Sequence, residues 1–341
     1  MIYVISPKNL YAVERLLKEA KFLNYKLRIL DLKSLVSKGF RIPITSRDVL
    51  YVRNPYLSPV RSLMRSRASS PDESGLTSNG VNGDPKYIPN IIKLAKNFKA
   101  KGGRVVDANI AKGEIGKGKW EDYKKLKKAG LLIPKTTKIV DSEQWSVISK
   151  QKETNYSLPT THFPLVLKWI YGMKAKGTFL IQNQKQLKKI LPLHPKQEWL
   201  VQEFIKAKYE YKVICIGYKA LPVVLRFEFN KSLGRADFNS FDVLACHPGS
   251  GFGIQKIKEY HSGSFLPLEG GGGEGVKTVI RKAEQASKTL GRELSKVDIL
   301  EDQRGRLYIL EVNRFPGLKS FEQLTKFNVF GKFIEYLQKV V

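Results

Sequence analysis

Cysteine is scarce in this sequence, and its scarcity limits both the covalent framework and the compartment. Cys215 and Cys246 are the only two cysteines among 341 residues, which is too few for a disulfide framework. Cys215 lies in the apolar run KVICIG, where we expect a buried and unreactive thiol. Disulfide-rich secreted scaffolds are therefore excluded, and the cytosol is the expected compartment.

Long apolar runs are also missing. No stretch approaches the roughly 20 consecutive apolar residues that a membrane-spanning helix needs, so we expect no membrane contact. The first residues, MIYVISPKNLYAVERLL, are short on hydrophobic length and lack a small-residue cleavage site. They predict a strand, a loop and a helix rather than a signal peptide.

Acidic side chains are few relative to basic ones. The sequence has 60 Lys and Arg against 31 Asp and Glu, a formal net charge of +29. Such a field attracts polyanions, among them nucleic acid, the ribosome, nucleotides and acidic peptides. No zinc-finger spacing or RNP-type motif accompanies the lysines, which are scattered over predicted helices such as YKKLKKAG. A compositional bias with solvated helix faces therefore explains the charge equally well.

Alternating strands and helices predict a parallel α/β unit at the N-terminus. MIYVIS (1–6), KLRILDL (26–32) and RDVLYVR (47–53) have the composition of strands, and LYAVERLLKEAKFLNY (10–25) is amphipathic with a helical period. Residues 67–84 are rich in Ser, Gly, Asn and Asp and have no hydrophobic period. They predict a mobile surface loop.

From residue 164 onward the pattern is typical of strands. The run PLVLKWI contains one lysine, Lys168, among apolar residues. Burying its ammonium group is costly unless an anion accompanies it. Further along, KVDILEDQRGRLYILEVN predicts a β-hairpin with its turn near Arg304 and Gly305.

Three oxygen-bearing side chains fall on this predicted hairpin. Asp298 lies on the first strand, and Glu311 and Asn313 lie on one face of the second strand because side chains alternate. Carboxylate and carbonyl oxygens are the ligands that Mg²⁺ prefers, and two ions sharing Glu311 could bridge nucleotide oxygens. A hairpin with solvated polar ends is the alternative that this pattern alone leaves open.

The segment SKVDILEDQRGRLYILEVNRFPGL resembles the metal-binding C-terminal part of ATP-grasp enzymes, particularly the RimK-like glutamate-ligase branch. Three further segments resemble that family in its own order: KGKWEDYKKLKKAGLLIPKT, FPLVLKWIYGMKAKGTFLIQN and WLVQEFIKAKYEYKVICIG. The resemblance implies an α/β (α+β) fold with an N-terminal parallel α/β pre-ATP-grasp domain over 1–112. The ATP-grasp domain would span 113–341, divided near residue 200 into a central and a C-terminal subdomain.

The resemblance also implies which residues bind ATP and magnesium. The implied ATP-binding residues are Lys119, Lys168, Gln202, Glu203, Phe204, Ile205 and Glu210. The two lysines would neutralise phosphates, the hinge 202–205 would contact the adenine edge through backbone groups, and the glutamate Glu210 would bind the ribose. The implied Mg²⁺ ligands, with Mn²⁺ as an alternative ion, are Asp298, Glu311 and Asn313.

The sequence departs from the family pattern at several positions. The phosphate loop is GMKAKGT, with Lys174 and Lys176 where small residues are usual. Either charge replaces some backbone contacts to phosphate, or the loop is looser. Lys212 stands where the branch tends to have Arg, which exchanges a bidentate fork for a point charge. Residues 227–275 match the family pattern poorly.

The chemistry implied by the resemblance is amide-bond formation. A substrate carboxylate attacks the γ-phosphorus of ATP, an acyl phosphate forms, and an amine displaces phosphate. Arg226 is the candidate for stabilising the acyl phosphate and the tetrahedral oxyanion. The substrates would carry a carboxylate and an amine, for example an acidic peptide or protein that receives an amino acid. The alternatives are an ATP-grasp phosphotransferase acting on a phosphorylated small molecule, and a non-catalytic nucleic-acid or ribosome-binding protein. A homo-oligomer is compatible with all three.

Overall fold

The computed structural model describes most of the chain. The described ranges are 1–7, 10–32, 34, 42–53, 87–139, 163–172, 177–193, 198–230, 235–247, 251–255 and 273–340, with backbone only at 229–230, 235–247, 251–255 and 273–274. Three β-sheets form the framework of these residues. The surface loop predicted at 67–84 and the loop lysines Lys174 and Lys176 lie outside the described residues.

The N-terminal sheet has four parallel strands, which confirms the predicted α/β unit. Its strands, in spatial order, are β2 (Leu27–Asp31), β1 (Ile2–Ser6), β3 (Val49–Val52) and β4 (Arg104–Val105). Two amphipathic helices pack on it, α1 (Tyr11–Phe22) and α2 (Ile88–Ala100). Every residue of β1 and β3 is buried, as expected for parallel strands covered on both faces.

The central sheet follows helix α3 (Gly118–Lys128) and is antiparallel. Its strands, in spatial order, are β5 (Thr136–Ile139), β8 (Trp199–Glu203), β6 (Leu165–Trp169) and β7 (Thr178–Ile181). Leu165, Leu167 and Trp169 pack on one face with the short helix α4 (Gln184–Ile190). The central sheet therefore extends through residue 203, slightly beyond the boundary near 200 that we drew from the sequence.

The third sheet has six antiparallel strands and carries the predicted hairpin. Its strands, in spatial order, are β12 (Gly251–Gln255), β11 (Arg235–His247), β10 (Lys219–Asn230), β9 (Ala207–Ile216), β13 (Leu294–Asp302) and β14 (Leu307–Asn313). The β13–β14 turn uses Gly305 at φ +75°. The β9–β10 turn has positive φ at both Gly217 and Tyr218, the backbone of the primed turns that fit strand twist.

Side-chain alternation divides the third sheet into two faces. We call one the helix face: Tyr211, Val213, Val297 and Ile299 pack there against helix α5 (Gly273–Thr289). The opposite face packs along part of its length on the N-terminal sheet and the last two helices, α6 (Lys319–Thr325) and α7 (Val329–Lys339). The rest of that face, which we call the site face, carries a polar cluster made of Glu210, Lys212, Lys296, Asp298, Glu311 and Asn313.

The C-terminal helix joins the end of the chain to its beginning. Phe333 of α7 packs edge-on against Tyr51 of β3, with 4.7 Å between ring centroids. Phe330 and Leu337 belong to the same core, so the N-terminal sheet is anchored to the third sheet through apolar burial. Within the described ranges, no helix combines the length and apolar character that crossing a membrane requires.

Candidate functional site

The hairpin brings the three predicted metal ligands together. Asp298 of β13 stands directly opposite Glu311 of β14, and Asn313 stands opposite Lys296. The Asn313 amide nitrogen donates to an Asp298 carboxylate oxygen at 3.0 Å. Two carboxylates and one amide therefore share a face of two adjacent strands, as the alternation in the sequence predicts.

Two lysines flank Asp298 on the site face. Lys212 Nζ lies 3.5 Å from Asp298 Oδ1 and 2.5 Å from Glu210 Oε1, while Lys296 Nζ lies 3.4 Å from Asp298 Oδ2. Burial disfavours the charged form of Lys212, but Asp298 and Glu210 outweigh this and raise its pKa above the usual value. Lys296 was missed in the sequence; its place two residues before Asp298 on one strand is the signal that indicates the shared face.

Lys119 connects the start of helix α3 to the hairpin. Its backbone N–H donates to the Ile170 carbonyl at 3.2 Å, and its ammonium group donates to the Gly172 carbonyl. Its Nζ also lies 3.7 Å from Glu311 Oε1. Gly118 allows this close approach, since it has φ +78° and a Cβ there would come within 2.6 Å of the Ile170 side chain. The predicted phosphate lysine and the predicted metal ligand are thus neighbours.

Lys168 belongs to the same electrostatic cluster. It lies on β6, opposite Leu200 and away from the Leu167 face of the central sheet. Burial lowers its pKa to about 8, against the opposing influence of Glu311, and Lys119 lowers it further. The protein alone therefore disfavours the ammonium form at this position, which suits a lysine whose anionic partner is a ligand.

The hinge residues 202–205 span the end of β8 and border an apolar patch. Gln202 Nε2 donates to Thr136 Oγ1 at 2.9 Å, and Glu203 Oε1 accepts from the Lys135 N–H at 2.8 Å. These two side chains are therefore held by the start of β5. Phe204 and Ile205 continue the chain out of the strand, and the apolar patch consists of Ile205, Ala207, Leu300, Tyr308 and Leu310.

The structure does not bring Arg226 to the polar cluster. The β9–β10 register places Arg226 opposite Tyr211 and places Phe227 opposite Glu210. The Arg226 guanidinium lies 4.5 Å from the centre of the Tyr209 ring, on the helix face rather than the site face. Its proposed contact with the acyl phosphate stays a prediction to which this geometry lends no support.

The donor set suits Mg²⁺ with a polyphosphate. Within the described part of the chain, no group of three His, Cys, Asp or Glu side chains forms a metal site, and the hairpin offers two carboxylates, Asp298 and Glu311, with the amide of Asn313. Mg²⁺ takes few protein carboxylates and completes its shell with water and phosphate oxygens. The ammonium group of Lys212 in the cluster, with those of Lys119 and Lys168 beside it, suits the remaining phosphate charge.

Comparison with known proteins defines the class to which this fold and site belong. The sequence profile of the ATP-grasp domain matches residues 117–317, more than half of the chain. The chain belongs to the ATP-grasp family, which confirms both the resemblance drawn from the hairpin and the predicted fold class.

Two curated relatives show where the sequence similarity lies. A probable alpha-L-glutamate ligase of Legionella pneumophila (strain Corby) is 28% identical over 185 residues, covering 52% of this chain and 50% of the relative. The protein of the same name from Cellvibrio japonicus is 29% identical over 180 residues with the same coverage. The chain thus spans about half the length of the curated relatives it matches.

Solved structures share the fold over the whole chain. The ATP-grasp ligase PsnB, complexed with a minimal precursor, has a TM-score of 0.62 at 14% identity and covers 100% of this chain and 99% of its own. A RimK domain ATP-grasp protein of Sphaerobacter thermophilus has a TM-score of 0.57 at 13% identity, covering 98% of each chain. At this identity the likeness establishes the fold and extends it to the N-terminal unit.

Proposed function

We propose that this protein is an ATP- and Mg²⁺-dependent ligase that joins a carboxylate, activated as an acyl phosphate, to an amine. One observation carries the proposal: lysines surround the directly opposed carboxylates Asp298 and Glu311 on one sheet face. ATP requires cations for its phosphates and Mg²⁺ requires oxygen donors, and both sets of groups converge here. The glutamate-ligase names of the relatives support the ligase class.

Each residue of the cluster has a role in this proposal. Asp298, Glu311 and Asn313 would hold Mg²⁺, which when bound supplies charge neutralisation at the phosphates of ATP. Lys119 and Lys168 would contact phosphate oxygens. Because the reaction needs positioning and electrostatic stabilisation rather than covalent help from the protein, no nucleophilic side chain is required.

The hinge and the apolar patch would bind the nucleoside. Residues 202–205 would contact the adenine edge through backbone groups, and the patch beside Ile205 and Leu300 would cover the ring. Glu210 would bind the ribose with the carboxylate oxygen that Lys212 does not contact. Stabilisation of the acyl phosphate and of the tetrahedral oxyanion, the role proposed for Arg226, is equally open to Lys212 and Lys296 on the site face.

A hydroxylamine trap tests the ligase chemistry. The protein, ATP and Mg²⁺ are incubated with hydroxylamine and a panel of amino acids and acidic peptides. An acyl phosphate reacts with hydroxylamine, so we expect hydroxamate that depends on both acid and ATP, with matching release of phosphate. The Glu311→Gln variant serves as the inactive control. ADP formation that requires an added phosphorylated small molecule, without hydroxamate for any acid, would favour the phosphotransferase alternative.

The net charge of +29 leads us to propose an acidic peptide or protein as the carboxylate substrate. Lys and Arg would then steer its approach, and kcat/KM should fall steeply between low and physiological salt, where the screening length shortens to about 8 Å. Kinetics over a salt series measure this effect, with a small amino acid of zero net charge as the insensitive reference substrate. A salt response no steeper for the acidic peptide than for that reference would leave compositional bias as the explanation.

Three further expectations remain part of the proposal. A cytosolic location is expected from the scarcity of cysteine, and the Cys215 thiol is free and buried. Nucleic-acid or ribosome binding and homo-oligomer formation are compatible with the charge and the fold. Inhibition of the reaction by an added polyanion, measured at each salt concentration of the series, tests nucleic-acid binding.

A further inference from the structure

The outer edge of strand β14 is anchored to helix α3 on both sides of Glu311. Among the described strands, β14 lies at the edge of its sheet, so one row of its backbone groups has no strand partner within that part of the chain. The carbonyl of Leu310, just before Glu311, accepts a hydrogen bond from the Tyr123 hydroxyl at 2.9 Å. The carbonyl of Val312, just after it, accepts from the Arg292 guanidinium.

Arg292 transmits this second anchor to helix α3. Its Nη2 donates to both carboxylate oxygens of Asp122, at 2.7 and 2.8 Å. Asp122 lies about one helical turn after Lys119, and Lys119 Nζ lies 3.7 Å from Glu311 Oε1. The helix that carries the phosphate lysine is therefore tied to the strand segment that carries the metal ligands.

The surroundings of Arg292 restrict where its guanidinium can lie. Arg292 is only 8% exposed, and its backbone carbonyl accepts a hydrogen bond from Ser287 Oγ at 2.7 Å. It follows Gly291, at φ +60°, where a Cβ would come within 2.1 Å of the Asn109 amide. A planar fork can contact a carboxylate and a carbonyl at once, whereas the point charge of a lysine cannot hold both in fixed geometry.

We propose that Arg292, held by Asp122, is a positioning residue that sets the distance between Lys119 and the metal ligands Glu311 and Asn313. The inference rests on the proposed nucleotide site, because one polyphosphate must contact both groups at once. A misplaced strand would weaken the part of nucleotide binding that depends on Mg²⁺ more than the part that depends on lysines alone. Partners of this kind behind metal ligands commonly change metal affinity about 10–100-fold when removed.

Nucleotide binding with and without Mg²⁺ tests this inference without turnover. The variants are Asp122→Asn, which weakens the fork, and Arg292→Lys, which keeps the charge and loses the planar geometry. We measure the Kd of the non-hydrolysable analogue AMPPNP by calorimetry, with Mg²⁺ and with EDTA. Mg²⁺ should lower the Kd of the wild type for AMPPNP, and we call the ratio of the Kd in EDTA to the Kd in Mg²⁺ the Mg²⁺ gain. This gain should be about tenfold or more smaller in both variants. The Kd in EDTA should change less than about threefold.

A matched control separates positioning from general loosening of the same turn. Arg104→Gln removes the 2.7 Å contact with Glu293, the residue next to Arg292, without touching β14. Arg104→Gln and the two test variants should all lower the thermal midpoint, but Arg104→Gln should retain the full Mg²⁺ gain. Asp122→Glu, which keeps the ion pair, should recover part of the gain lost in Asp122→Asn.

The outcomes distinguish this inference from the proposed function. A wild type that binds AMPPNP no better with Mg²⁺ would overturn both. A wild type with a clear gain that Asp122→Asn and Arg292→Lys leave intact would overturn the positioning role alone. An equal loss in Arg104→Gln would also overturn it, because stability rather than strand position would then control the gain.

Discussion

Glu311→Gln is expected to lower kcat by about a hundredfold or more, comparable to the loss of a preorganised electrostatic group in other active sites. Glu311 stands opposite Asp298, next to Asn313 and within 3.7 Å of the Lys119 ammonium group. An amide has nearly the same shape as a carboxylate but lacks the charge that holds Mg²⁺ against phosphate. ATP-dependent hydroxamate or phosphate release, at saturating Mg²⁺, measures the effect.

The fold should survive this substitution. The Glu311 side chain is 39% exposed and its ion pair with Lys119 is long, so its loss should cost no more than about 1 kcal/mol of the free energy of unfolding. Glu301→Gln on the same hairpin is the matched control, since the Glu301 carboxylate accepts a hydrogen bond from the Tyr211 hydroxyl on the helix face. Near-normal turnover in Glu311→Gln at saturating Mg²⁺ would contradict the metal assignment.

Lys168→Met is expected to separate nucleotide binding from folding. The pKa of Lys168 is lowered to about 8, mainly by burial, so the folded protein disfavours its charged form. Removing the charge while keeping most of the length should leave the apo thermal midpoint unchanged or slightly raised. ATP with Mg²⁺ stabilises the wild type by mass action, and the variant should show a much smaller rise of the midpoint at equal concentration.

The pH dependence of unfolding gives this prediction a second readout. Because the pKa of Lys168 is lower in the folded than in the unfolded state, the unfolded chain binds more protons between about pH 8 and pH 10, and wild-type stability gains from rising pH there. Lys168→Met lacks that contribution. The excess of its free energy of unfolding over that of the wild type should therefore be largest below pH 8 and should shrink above it. Denaturant unfolding across this range measures the difference.

An exposed lysine on the same subdomain provides the control. Lys188 lies on α4, which packs on the other face of the central sheet, and Lys188→Met should retain the full stabilisation by ATP and Mg²⁺. If Lys168→Met retained it too, Lys168 would be a structural lysine. The nucleotide site between the central sheet and the hairpin would then have to be abandoned.

The hairpin shows which features could be predicted from the sequence alone. Alternating side chains and a glycine turn predict that Glu311 and Asn313 share a face, and β14 has them on that face. These are short-range features, because the two strands of a hairpin are joined by a few residues. The same holds for the parallel strands and amphipathic helix at the N-terminus, whose periodicity is visible in single segments.

Arg226 shows a feature that could not be predicted from the sequence, namely the face of the sheet on which a side chain lies. It lies in the part of the chain whose pattern is typical of strands, but the side of the sheet on which it lies depends on the register with β9 and on which face α5 covers. A slip of one residue moves every side chain of a strand to the opposite face. Lys296 was missed for a related reason, since its contact with Asp298 becomes apparent only when the face is known.

The sequence by itself determined the N-terminal strands and helix, the hairpin and the resemblance to the family, because periodicity, turn chemistry and motif order are properties of neighbouring residues. Only the tertiary structure decided that Lys119 meets Glu311, that Lys168 lies in the same field, and that Arg292 ties Val312 to Asp122. Those contacts join segments far apart in the chain. They depend on how helix α3, the central sheet and the hairpin pack together, and packing is set by the complementary surfaces of whole elements rather than by any local pattern.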